Sequence, residues 1–385
     1  MNTKNKIILI LLNTYVPGYK SGGPIQSILN TVNHLGDQFN FKIITSDRDA
    51  TDRKPYENVE LNKWVKVGKA EVYYLSGSKY DYIKLIKLIR KTNYDTMYLN
   101  SFFNFKFTII PLFAKKIGLI RNKKTLLAPR GELSKGALSI KAKKKNTFIK
   151  IFKTIGLFKQ LLWQVSSVFE KNEVIEVMNV DGRNIKVAPN LTSVIINNKN
   201  TPSSLKDSNT LKVVFLSRIT PKKNLEYVLE ILNELNFSIQ LTIVGPVRDD
   251  FYWKSCLNKI NSLPNNIKVN YLGSVPHTKV FEILRINDVF FFPTKGENYG
   301  HVILEAALAG IPLLISDTTP WLSLEQEGVG WSLPLDNKEV FKRKLKIIYQ
   351  MSGEEHLKMR SRVKEWANSI SNNVETIEKN KKLFL

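Results

Sequence analysis

The stretch Val289 to Gly310 restricts the fold more than any other part of this chain. Val289 to Pro293 (VFFFP) is a short apolar run closed by a proline, the pattern of a buried strand reaching its carboxyl end. Gly300 lets the backbone approach a ligand closely, and His301 to Ala309 (HVILEAALA) is good helix material that stops at Gly310 and Pro312. The order is strand, glycine loop, helix. The free amides of Tyr299, Gly300, His301 and Val302 at such a helix start carry partial positive charge and suit a diphosphate. Glu297 precedes the helix and Glu305 lies more than a turn inside it, with Asn298 between Glu297 and the helix start. Both carboxylates then face one crevice, and carboxylates accept sugar hydroxyls well. Two glutamates alone would read as an ordinary solvated helix, so the rest of the chain has to supply the context.

That context lies upstream. Leu211 to Leu216 (LKVVFL) has the pattern of a second buried strand, followed by Ser217, Arg218, Ile219, Thr220, Pro221, Lys222 and Lys223 and then a helix. Open α/β sheets bind their ligands at the carboxyl ends of their strands, and Arg218 and Lys223 bring two cations there. Fixed positive charge in a dry site stabilises the charge that grows on a departing phosphate.

Together these residues resemble the retaining glycosyltransferases of family 4, which have the GT-B fold. Ser217-Arg218 with Lys223 is similar to the family's phosphate loop, although Ser217 and Asn224 stand where glycine is common. Glu297-Asn298-Tyr299-Gly300 through Glu305-Ala306 resembles its paired-glutamate signature, and Pro189-Asn190 resembles the approach to its second domain. The resemblance implies that Arg218 and Lys223 hold the donor diphosphate, Glu305 the ribose hydroxyls and Glu297 the transferred sugar. It places His301 and its neighbours on the phosphate, and Val275 and Gly245 at the base pocket; packing accounts for Val275 equally well, and Gly245-Pro246 is first of all a turn. Gly22 and Gly23, after the apolar run Lys6 to Leu12, fall where the family's first domain meets donor phosphate and acceptor. Pro129-Arg130-Gly131-Glu132 resembles a loop of polysaccharide-building relatives. Arg130 or Glu132 is placed to reach acceptor or donor phosphate, though a surface turn fits the segment as well. The histidine that many members carry in the first domain is missing, since Asn100-Ser101-Phe102-Phe103-Asn104 stands there. His34 reads as a helix-facing residue, and His277 and His356 as surface residues.

The chain has 385 residues, 43% of them hydrophobic, enough for two cores. Strand and helix signals alternate in both halves. The expected architecture is two Rossmann-like parallel-sheet domains facing each other across a cleft, residues 1–190 binding acceptor and 191–385 binding nucleotide-sugar. The polar stretch Asn197 to Asn209 is the expected connection, and by resemblance the last helices, including Trp366, pack back on the first domain. Asp47-Arg48-Asp49 spells a metal-transferase motif without a His or Cys cluster and reads as a loop, so a metal-independent reaction without cofactor is expected. The single cysteine, Cys256, excludes an internal disulfide, and the apolar run at the N-terminus is too short to span a bilayer; both suggest a cytoplasmic chain.

Net charge is +24, and residues 1–200 hold 34 Lys plus Arg against 14 Asp plus Glu. Eight lysines and no acid lie between Glu132 and Glu170. Within that stretch Phe148, Ile151, Phe152, Ile155 and Leu162 fall on one predicted helical face, with Lys150 and Lys153 opposite. The expectation is a peripheral enzyme touching an anionic membrane and acting on a glycan or lipid-linked saccharide, with a UDP-sugar as donor. Two alternatives stay open. A GT-B sugar-nucleotide epimerase would use the same site without an acceptor, and a basic nucleic-acid-binding protein would account for the charge but not for the glutamates.

Overall fold

The computed structural model describes residues 6–20, 22–50, 52–77, 81–192, 206 and 209–385. It divides into two compact units, Met1–Val194 with Asn373–Leu385, and Ile195–Asn372. Apart from Lys206 and Asn209, the polar stretch from 197 to 209 lies outside the described residues.

The first unit is built on eight strands: β1 (Ile7–Leu11), β2 (Asn40–Ser46), β3 (Trp64–Val67), β4 (Ala70–Leu75), β5 (Thr96–Asn100), β6 (Lys124–Ala128), β7 (Leu162–Val165) and β8 (Ile185–Val187). They lie in the order β3-β4-β2-β1-β5-β6-β7-β8, parallel except for the antiparallel edge β3. Strand β1 is apolar without alternation because both its faces are covered: Leu9 and Leu11 enter one core, Ile8 and Ile10 the other. The short C-terminal helix Val374–Lys382 belongs to this unit. Phe384 seats its ring edge-on against Phe39, Phe41 and Tyr98 at 5.5 to 5.8 Å, and Asn380 Nδ2 donates to the Pro189 carbonyl at 2.8 Å.

The second unit has six parallel strands: β9 (Leu211–Leu216), β10 (Ile239–Val244), β11 (Ile267–Tyr271), β12 (Val289–Phe292), β13 (Leu313–Ser316) and β14 (Gly330–Leu333). Their order is β11-β10-β9-β12-β13-β14, the doubly wound arrangement that reverses direction between the first and fourth strands. The helix Gly353–Ser371 stays with this unit, so the expectation for Trp366 is corrected: its ring packs edge-on against Trp321, 5.7 Å away. His356 on the same helix is also corrected from surface to core. It is 1% exposed, its Nε2 meets the Asp288 carbonyl at 2.9 Å, and burial pushes its pKa down to about 4. The side chain of His277 lies outside the described residues.

The lysine-rich segment forms the helix Ala142–Thr154, and its apolar residues divide differently from the predicted face. Phe148 and Phe152 turn inward, Phe148 standing 5.2 Å from the Phe103 ring, whereas Ile151 and Ile155 are exposed and Leu162 begins β7. The sequence pattern ran through the helix end at Thr154, and a stripe drawn across that end has no physical continuity. No helix among the described residues is long and apolar enough to cross a membrane.

Candidate active site

The reversal between β9 and β12 opens a crevice at the carboxyl ends of the strands, the place where doubly wound sheets bind ligands. The loop after β9 carries Arg218 and closes in a single 3-10 turn at Pro221–Lys223. Asn224 then takes a left-handed conformation, φ 63°, and its Nδ2 donates to the Pro293 carbonyl at 2.9 Å. Glycine is the residue best suited to that φ, and asparagine among the few others that tolerate it. The side chain also ties the loop after β9 to the loop after β12.

Lys223 is thereby delivered to Glu297, and the two form an ion pair whose side chains are only 11% and 14% exposed. Arg218 feels the same carboxylate. Burial pulls its pKa below the usual guanidinium range, opposed by Glu297 and reinforced by Arg248; burial likewise lowers that of Lys223 against the pull of Glu297. The expected catalytic set Glu297, Arg218 and Lys223 is thus one cluster drawn from two loops.

The loop bearing Glu297 is fixed from the far side by β13. Ser316 Oγ and Thr318 Oγ1 both donate to the Thr294 carbonyl, at 2.5 and 2.6 Å, and the Glu297 amide donates to the Thr318 carbonyl at 3.2 Å. On its near side the Lys295 amide donates to the Lys222 carbonyl at 2.8 Å. The indole of Trp321 donates to the Tyr299 carbonyl at 2.6 Å, and burial raises the pKa of the Tyr299 phenol. Gly300, φ 78°, precedes the helix His301–Leu308, and a Cβ there would stand 2.8 Å from Ile303 Cδ1. Along that helix Ile303, Leu304, Ala306 and Ala307 enter the core. His301, Val302 and Glu305 are half-buried, with Glu305 one turn beyond His301. Asn298 is also half-buried, and the His301 ring lies 4.9 Å from that of Tyr299.

Gly245 has a structural reason of its own. At φ 135° its Cβ would fall 1.9 Å from the Ser217 carbonyl, so glycine lets the loops after β9 and β10 touch. Ile219 and Val247 form an isolated parallel bridge there, and the Arg248 amide donates to the Ile219 carbonyl at 3.2 Å. Arg248 is a cation that the motifs did not single out; its signal was only its place just past the end of β10. Val275 is half-buried against the core of this unit.

Gly22 and Gly23 lie in the first unit, where Gly22, φ 65°, precedes the helix Gly23–Leu35. Arg130 also lies there, in the loop after β6. Asp47 and Asp49 are both buried: Asp47 pairs with Arg48 and accepts from the Gly77 amide, and Asp49 accepts from the amides of Tyr19 and Lys20. The thiol of Cys256 is buried and pushed up to about 12.

Comparison with known proteins fits this geometry. Residues 197–367 match the family model "Glycosyl transferases group 1". A protein of Klebsiella pneumoniae described as an uncharacterized 41.2 kDa protein in the cps region is 23% identical over 256 residues, which is 64% of this chain and 67% of that one. Among solved structures, Anabaena HepE in complex with UDP-glucose superposes with a TM-score of 0.71 at 17% identity, covering 98% of each chain. Sucrose-phosphate synthase from Thermosynechococcus elongatus does so with 0.73 at 14% identity, again over 98% of each. The fold is therefore the GT-B fold, and the segment that matches glycosyl transferases group 1 is the one that carries Arg218, Lys223, Glu297 and Glu305.

Proposed function

We propose that this protein is a glycosyltransferase of the family 4 type that moves a hexose from a UDP-sugar to a glycan or lipid-linked saccharide during cell-surface polysaccharide synthesis. The observation that carries the reading is the junction of Arg218, Lys223 and Glu297 at the switch point of the second sheet. The UDP-glucose in the Anabaena structure and the cps setting of the Klebsiella relative support the donor and the pathway class.

In this reading the diphosphate lies against Arg218 and Lys223 and the first turn of the helix His301–Leu308, with Glu305 on the ribose. As the bond between sugar and diphosphate breaks, negative charge grows on the phosphate oxygens, and cations already fixed in place stabilise it without reorganising. Removing one such donor costs about 100-fold in turnover. Glu297 holds Lys223 in position and presents its second oxygen toward the sugar. The acceptor attacks on the face the diphosphate leaves, with configuration retained and the diphosphate oxygens taking the acceptor proton. Arg218 and Lys223 supply the positive charge, so the reaction proceeds without a metal; full activity in EDTA is expected, and a strict requirement for added Mn²⁺ would contradict it.

A peripheral location at the inner face of the cell membrane completes the proposal. The helix Ala142–Thr154 turns Lys143, Lys144, Lys150 and Ile151 to solvent, followed by exposed Ile155, a cationic and aliphatic stripe suited to anionic lipid. Sedimentation with anionic liposomes at low salt is expected, and release at high salt. The function itself is tested by incubating the protein with radiolabelled UDP-hexoses and a membrane-lipid extract. Transfer of label to the extract that fails in Arg218→Ala is the expected result, and acceptor-free epimerisation of the donor would replace the reading.

A further inference from the structure

A second cationic centre lies in the first unit, and it is built differently. Arg130 follows β6 with a left-handed backbone, φ 58°, and Ser101 follows the neighbouring β5 at φ 99°. Neither is glycine. Non-glycine residues held at such angles are strained and cluster at ligand sites. The Arg130 guanidinium is fixed by neutral side chains only. Its Nε and Nη2 donate to Asn100 Oδ1 at 3.1 and 2.7 Å, Nη1 to Asn190 Oδ1 at 2.6 Å, and Nη2 also to the Tyr98 hydroxyl at 2.8 Å. The phenol donates onward to Gln164 Oε1 at 3.0 Å, and Gln164 Nε2 to the Ala188 carbonyl at 2.7 Å.

Among the described residues, no carboxylate lies within ion-pair distance of Arg130. The two nearby in the chain fold are committed elsewhere: Glu132 accepts from Ser101 Oγ and the amides of Phe102 and Phe103, and Glu170 from the amides of Gly131 and Ser166 and from Ser166 Oγ. One Nη1 hydrogen of Arg130 remains after these contacts. Beside it, Asn100 is 2% exposed and its Nδ2 has no partner. A buried amide nitrogen without an acceptor and a half-buried guanidinium without a counter-ion are each costly. An anionic ligand would supply the counter-charge that Arg130 lacks, and its oxygens are the kind of acceptor that the Asn100 amide lacks. Glu170, whose carboxylate accepts from the Gly131 amide, is preceded at the start of the helix Val168–Met178 by Val168 and Phe169, 62% and 70% exposed.

We infer that Arg130, with Asn100 and Asn190, forms an anion site in the first unit that holds a phosphate group of the acceptor, with Val168 and Phe169 covering an apolar chain where the phosphate is lipid-borne. The inference rests on the proposed transferase reading only in calling the ligand an acceptor. Hydrogen bonds from a guanidinium to a phosphate oxygen are charge-assisted and strong, and here three neutral acceptors hold the guanidinium plane without consuming its charge, leaving one Nη1 hydrogen for the ligand.

The test measures binding of farnesyl phosphate, farnesol and glucose 1-phosphate to the full chain by calorimetry, with UDP titrated into the same samples. Both phosphates are expected to bind and farnesol not. Arg130→Gln is expected to weaken both at least tenfold while leaving UDP unchanged. Asn190→Asp keeps the hydrogen bond to Nη1 but supplies a counter-ion, so it is expected to weaken phosphate binding similarly with no loss of thermal stability. An Arg130 that merely holds loops together would be unharmed by that change. Tighter binding of farnesyl phosphate than of glucose 1-phosphate, lost in Phe169→Ser, assigns a lipid phosphate; equal binding unaffected by Phe169→Ser assigns a soluble one. Phosphate binding undiminished in both Asn190→Asp and Arg130→Gln overturns the site. Loss of UDP binding alone would instead count against the transferase reading.

Discussion

The two cationic centres of this protein sit at the carboxyl ends of strands in similar sheets, yet they solve the problem of holding positive charge in opposite ways. At the crevice of the second unit, Lys223 is paired with Glu297, Arg218 feels the same carboxylate, and the whole assembly is tied to Thr294, Ser316 and Thr318. In the first unit, Arg130 leans on Asn100, Asn190 and Tyr98 and meets no carboxylate. An ion pair partly neutralises its own field but fixes geometry; a guanidinium on neutral acceptors keeps its field and depends on its ligand for balance. The first arrangement suits a group whose charge grows during reaction. The second suits a ligand that arrives already charged.

The largest expected effect breaks the first arrangement. Lys223→Ala leaves Glu297 buried without its partner and is expected to destabilise the second unit by about 3–5 kcal/mol. Adding Glu297→Gln should recover much of that loss, and urea unfolding of the single and double variants measures it. Equal stability of the two would show that the pair carries little.

Acid sharpens the comparison, because a buried neutral histidine lies in the second unit. Burial lowers the pKa of His356 from 6.5 to about 4, so the unfolded chain binds its proton more readily. Its contribution is complete above about pH 6.5 and is lost as pH falls toward about 4, amounting to about 3 kcal/mol. His356→Gln, which still donates to the Asp288 carbonyl, should flatten the pH dependence of unfolding over that window.

A smaller effect separates chemistry from binding. Arg218→Ala is expected to lower turnover about 100-fold, equivalent to about 2.7 kcal/mol, with little change in donor KM. Arg130→Gln should raise the acceptor KM while donor KM stays fixed. If both variants altered the same constant, the two centres would not be distinct.

Smallest is the loop itself. Asn224→Ala forfeits a buried hydrogen bond and keeps an unfavourable φ, so about 2 kcal/mol is expected; Asn224→Gly loses the bond but relaxes the backbone and should cost less. The two midpoints in a denaturant titration settle the order.

Much of the second unit was legible in the sequence because its punctuation is local. A proline closes β12, Gly300 and Gly310 bracket one helix, and the Arg218–Lys223 spacing sits directly after an apolar run. Even the departure at Asn224 was visible, and its left-handed φ explains why glycine is common there. What stayed hidden depends on strand order. Ser316 and Thr318 meet Thr294 only because β13 lies beside β12, and Arg248 reaches the crevice only because Gly245 permits two loops to touch. His356 stands on a helix of mixed charged and apolar residues, and nothing near it in sequence announces that the Asp288 carbonyl waits in the core. In the lysine-rich helix the pattern was real but the face was misassigned, since Phe148 and Phe152 had a core to enter and Leu162 belonged to a strand.

The central claim is that the second unit's crevice binds a nucleotide-sugar. Its most direct test is the thermal midpoint of the wild-type protein and of Glu305→Ala with UDP, GDP, ADP and their sugar conjugates, without added metal. A ligand at 100 times its Kd stabilises the folded state by about 2.7 kcal/mol, well within reach of the method. The account predicts a shift selective for UDP and one UDP-hexose that is largely lost in Glu305→Ala. No shift with any nucleotide, or an undiminished one in the variant, would contradict it.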